Sequence, residues 1–110
     1  MSASQRRKGH NFERKIAADI RALGIPARRG RQDYRGDAEP DVVVEDVSML
    51  GIDPWIECKT GARPPIWKAL EQAQEAAGIR TPIVVAHRDR GPTVAVMEWS
   101  ELLALLVRAA

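Results

Sequence analysis

Two acidic residues and a lysine in close spacing carry the most chemistry in this chain. Pro40-Asp41 is followed, after fifteen intervening residues, by Glu57-Cys58-Lys59. Asp41 opens the β-prone run Pro40-Asp41-Val42-Val43-Val44, which begins on a proline, where a missing N–H costs least. Glu57 and Lys59 close a second such run, Pro54 to Lys59. Ser48, Gly51 and Asp53 supply turn chemistry between the runs, so they should fold back as a hairpin centred near Met49. That register sets Asp41 opposite Glu57, and alternation along a strand puts Lys59 on the same face. Val42, Val44, Ile56 and Cys58 then take the core face. Carboxylates directly across a strand pair lie roughly 5 Å apart at Cβ. Their repulsion is relieved by a divalent cation that takes hard oxygen ligands.

The pattern Pro-Asp…Glu-x-Lys resembles the signature of the PD-(D/E)xK nuclease superfamily, which includes restriction enzymes and Holliday-junction resolvases. Lys8-Gly9-His10-Asn11-Phe12-Glu13 adds a basic residue, a glycine and a first-helix glutamate, as small archaeal and phage resolvases have. The Gly- and Arg-rich stretch 27–36 before the aspartate strand resembles them too. The likeness extends over about residues 7–98. It implies a Mg²⁺-dependent endonuclease, with Mn²⁺ able to substitute, acting on branched DNA. It further implies that Asp41, Glu57 and the Cys58 carbonyl hold the metal, and that Glu13 is a fourth site residue on the metal or its water shell. Lys59, beside both acids, suits an electrostatic clamp on water and phosphate better than a free-amine base. Asp37 and Glu39 stand just ahead of the motif, but only Asp41 has the preceding proline and the parity that matches Glu57.

The elements that must position these residues follow from periodicity. A basic flexible arm over residues 1–9 precedes a helix from Asn11 to Leu23, with an apolar stripe of Phe12, Ile16, Ile20 and Leu23. Gly24 and Pro26 stop it. A second helix ends at Ala77, with Ile66, Leu70, Ala73 and Ala77 inward. The near-continuous apolar run in the strand Thr81 to His87 predicts burial on both faces. Another strand, Thr93 to Met97, leads to a leucine-rich helix from Glu101 to about Arg108, capped by Ser100. The order α-β-β-β-α-β-β-α predicts a single α/β domain over residues 1–110. Its mixed sheet of about five strands is flanked by helices, like the αβββαβ restriction-endonuclease core plus a C-terminal strand and helix.

Composition sets the remaining bounds. The 110 residues suit one modest core. No apolar run approaches a membrane span, no secretory signal is expected, and a lone cysteine agrees with a reducing, cytoplasmic setting, whether the gene is cellular or phage-borne. The net charge of +2 conceals a split: residues 1–35 hold ten Arg or Lys against three acids, and the remainder seven against twelve. A basic first third beside an acidic centre suits a polyanion lying over a metal site. Arg6, Arg7, Lys8, Arg28, Arg29, Arg31, Arg35 and Arg63 are the expected phosphate contacts, giving affinity and salt dependence without sequence choice. His10 and His87 are expected as ordinary side chains, Cys58 as inert, and Gln72 and Gln74 on a solvated helix face. Trp55, Trp67 and Trp99 suit the core or an interface. Cutting two strands of a junction symmetrically requires a homodimer, for which Leu102, Leu103, Leu105 and Leu106 on the last helix are the first candidate surface, the second helix or the sheet edge the next, and closure of the monomer core the alternative use of that helix. No membrane partner or small-molecule cofactor is expected.

Overall fold

The computed structural model describes residues 2–31 and 38–109; Arg35 and Asp37 lie outside them. The elements are α1 (Ala3–Arg21), β1 (Ala27–Arg29), β2 (Val42–Val44), β3 (Pro54–Gly61), α2 (Ile66–Ala77), β4 (Thr81–Arg88), β5 (Thr93–Val96) and α3 (Trp99–Ala109). The five strands form one mixed sheet in chain order, β1-β2-β3-β4-β5. β3 and β4 run parallel through the α2 crossover, and the other neighbours are antiparallel.

The first helix starts earlier than its apolar stripe suggests. Ser2 caps it with a hydroxyl that accepts from the Gln5 N–H, and the Gln5 side chain accepts from the Ser2 N–H. This capping box satisfies two orphan donors and draws most of the expected arm into the first turns of α1. At the other end Leu23 lies beyond the helix and is 76% exposed, so the stripe ends at Ile20. Phe12, Ile16 and Ala17 press on Val42 and Ile56, with Val44, Cys58 and Val85 around them. That is the core face expected of β2 and β3. Each of the large buried side chains here, Phe12, Ile16, Val42 and Ile56, contributes roughly 1.5–3 kcal/mol by leaving water.

The α2 helix covers the opposite face, packing Ala69 and Leu70 on Val84 and Ala86, and Ala73 and Ala77 beside Trp55. β4 corrects the expectation of burial on both faces. Pro82, Val84 and Ala86 are buried towards α2, while Ile83, Val85 and His87 are only partly covered. Parallel strands are buried twice only when helices blanket both faces. Here α1 lies mainly over β1 to β3. The α3 helix contributes no buried residue, which leaves its apolar side chains to the surface.

A carboxylate pair where two strands part

Asp41 is held from both sides. Its N–H donates to the Ile56 carbonyl at 2.9 Å, and its own carbonyl accepts from the Gly30 N–H at 2.8 Å. Gly30 must be glycine, because a Cβ there would stand 1.8 Å from the Pro40 carbonyl oxygen. The register pairs Val42 with Ile56, as a turn centred on Met49 requires, yet this is the only pair between β2 and β3. Asp41 stands just ahead of β2, its N–H bonded to the carbonyl of the residue that Val42 faces, and the pairing ends there. The Asp41 carboxylate takes over where the main-chain ladder stops, its Oδ2 accepting from the Cys58 N–H at 2.8 Å. In a strand the N–H and C=O of a residue point to the same side. The Cys58 carbonyl therefore also looks into the gap beside Asp41.

Glu57 enters this gap from β3, half-buried and near enough to Asp41 for the two carboxylates to act on each other. Trp55, two residues back on the same strand face, donates its indole N–H to Glu57 Oε1 at 2.9 Å. Burial is the main cause that lifts the Glu57 pKa to about 7; the Trp55 bond opposes the rise, Asp41 adds to it, and Lys59 pulls it down. A neutral Glu57 is the metal-free way to relieve the crowding of two carboxylates. Lys59, half-buried two positions beyond Glu57, stands on the same strand face by alternation. Burial first, then the nearby acids Asp41, Glu13 and Glu57, push the Cys58 thiol far up, which keeps it unreactive as expected.

Glu13 reaches the neighbourhood from α1 but is not gathered with the other two acids. Its Oε2 accepts from Arg29 Nε at 2.6 Å, and the side chain is only 13% exposed. Burial raises its pKa, the Arg29 bond works against that, and Asp41 adds to the rise. Glu39 is no rival to Asp41. It receives both Arg28 guanidinium nitrogens, at 3.1 and 2.6 Å, and the Arg31 N–H at 2.9 Å. The Arg28 bonds, then the Arg31 N–H, hold its pKa down at about 2.

The basic residues divide accordingly. Arg28 and Arg29 are engaged in internal ion pairs, and Lys8 is paired with Asp89 on the β4–β5 turn at 2.5 Å. A phosphate reaching any of the three would compete with a carboxylate for its charge. Arg6, Arg7, Arg31 and Arg63 are exposed. His87 bonds to Thr93 and packs on Phe12 at a ring separation of 6.0 Å, an ordinary structural role. Sequence reasoning overlooked Trp55, Gly30 and the hold of Arg29 on Glu13. The spacing of Trp55 from Glu57 is visible in the chain; the other two depend on strands distant in sequence.

Among the described residues no group of three or more His, Cys, Asp or Glu side chains is placed to hold a metal ion. The donor set still suits one hard cation, because Mg²⁺ is commonly bound by one or two carboxylates and keeps several waters. No family model, curated protein or solved structure matches the chain.

Proposed function

We propose that the chain is a metal-dependent endonuclease of the PD-(D/E)xK kind, hydrolysing phosphodiester bonds in branched DNA as a homodimer. The observation that carries this reading is the meeting of Asp41 and Glu57 beside Lys59 where β2 and β3 part. Asp41, Glu57 and the Cys58 carbonyl would hold Mg²⁺ or Mn²⁺. When bound, the metal supplies a polarised phosphoryl oxygen and an activated water. The chain contributes the rest. The Cys58 N–H fixes one Asp41 oxygen and leaves the other for the gap, Trp55 orients Glu57, and Lys59 offsets charge on the phosphate. Glu13 closes the α1 side, its charge balanced by Arg29. The choice of branched DNA rests on the resemblance, so a nuclease that nicks, trims ends or cuts in restriction-like fashion is the alternative on other DNA.

A different class of reading is a DNA-binding protein that keeps the fold without cutting. The engagement of Glu13 by Arg29 favours it. Lys59, Glu57 and Asp41 all retaining their chemistry favours the nuclease. The test is incubation of labelled synthetic four-way junction and linear duplex with Mg²⁺, using the native chain, Asp41→Asn and Lys59→Ala. Junction cleavage by the native chain alone is expected. Equal cutting of duplex supports the broader nuclease, and binding without product supports the non-catalytic protein. No helix among the described residues is long and apolar enough to cross a membrane, and a cytoplasmic location follows from the nuclease reading.

A further inference from the structure

The α3 helix divides into two unlike halves. Glu101 lies against Thr81, at 3.4 Å from its hydroxyl, and the Leu105 and Arg108 side chains lie against Gly51. At 3.6 residues per turn these three share one side of the helix. Trp99, Leu103 and Leu106 recur at i, i+4 and i+7 on the opposite side, with Val107 beside them, and are 66, 43, 53 and 76% exposed. Both charged residues of α3 turn towards its own domain, so the outer stripe carries no charge. The apolar surface continues past Trp99. An open groove of about 630 Å³ runs from it to Trp67 at the start of α2, which is 79% exposed.

We infer that this stripe and the Trp67 wall of the groove are the surface on which a second copy of the chain docks, α3 against α3 about a two-fold axis. The five side chains expose on the order of 600 Å². That approaches the ~800 Å² each partner gives to an interface of standard size, and it lies at the upper end of the largest apolar patches found on monomers. A partner recognised by charge would need charged groups on the stripe. An uncharged i, i+4, i+7 seam instead fits another like itself, the acids Glu71 and Glu98 lining the groove beside it and not the stripe. Leu102 and Leu105, named with the stripe from sequence, belong to its flank and to the inner side. The pairing of two nuclease sites through this contact rests on the proposed function; the self-association does not.

Light scattering on the full chain at micromolar concentration should return twice the mass of one chain. The double variant Leu103→Glu/Leu106→Glu should return half of that with an unchanged circular dichroism spectrum. Leu23→Glu, at a still more exposed leucine just past the end of α1, should stay at the native mass. Independently of any variant, diluting the native chain should red-shift its tryptophan emission as Trp67 and Trp99 become wet. A native chain that keeps a single-chain mass at every concentration overturns the inference, whatever other partner then covers the stripe. So does a folded double variant that still pairs, or a loss of pairing in Leu23→Glu. Junction cleavage is read separately, so its absence in a chain that pairs counts against the nuclease and not against this surface.

Discussion

At the scale of single residues, crowded acids in a half-buried gap cost stability that a bound cation or a proton offsets. Asp41→Asn keeps an oxygen for the Cys58 N–H and removes the repulsion on Glu57. The metal-free variant should therefore be more stable than the native chain by about 1 kcal/mol, the worth of roughly one pKa unit, while losing cleavage. Urea midpoints at pH 8 without metal check the first half, and a midpoint that falls counts against the crowding. The pH dependence follows in sign. Because Glu57 has its folded pKa raised from 4.5 to about 7, its contribution is full below pH 4.5 and is lost as pH rises to about 7. Glu57→Gln should flatten that part of the stability curve, and metal should bind more tightly as pH climbs through the same window. Glu39 has the opposite sign. Its pKa is held at about 2, so its ion pair with Arg28 stabilises above pH 4.5 and fades between there and pH 2. Glu39→Gln should cost about 1 kcal/mol at pH 7, a figure set by a partly exposed pair, and nothing near pH 2.

At the scale of elements, what matters is how β1 secures the start of β2. Gly30 lets the chain pass so close to Pro40 that its N–H reaches the Asp41 carbonyl. Gly30→Ala should cost about 1–3 kcal/mol, as overpacking does, and should weaken metal binding because Asp41 moves with Pro40. Calorimetric titration of Mn²⁺ into the folded variant separates the two effects. Unchanged affinity would mean that the Ile56 and Cys58 bonds suffice to place Asp41. The β2–β3 connection is looser than a regular hairpin, and the gap it leaves is what admits the carboxylates.

Across the whole molecule, basic charge is concentrated in the first third of the chain but is largely balanced where it meets the acids. Phosphate contacts should therefore come from exposed cations such as Arg63 and not from Arg28. With Ca²⁺ replacing Mg²⁺ to prevent cutting, Arg63→Ala should lower the slope of log affinity against log salt for a junction by about 0.9, the share of one phosphate. Arg28→Ala should leave the slope as it is. A larger change for Arg28 would show that DNA displaces Glu39.

The sequence by itself determined the order of elements, the single α/β sheet, the core faces of β2 and β3, and the meeting of Asp41 with Glu57. Each of these follows from periodicity, turn residues and the proline before Asp41, which act over a few neighbours in the chain. Only the tertiary structure decided the bonds that hold Asp41, the partners of Arg28 and Arg29, the hold on Glu13 and which side chains of α3 face outward. Those depend on which distant segments come to lie side by side, and a charge has no means of declaring in sequence which opposite charge it will meet.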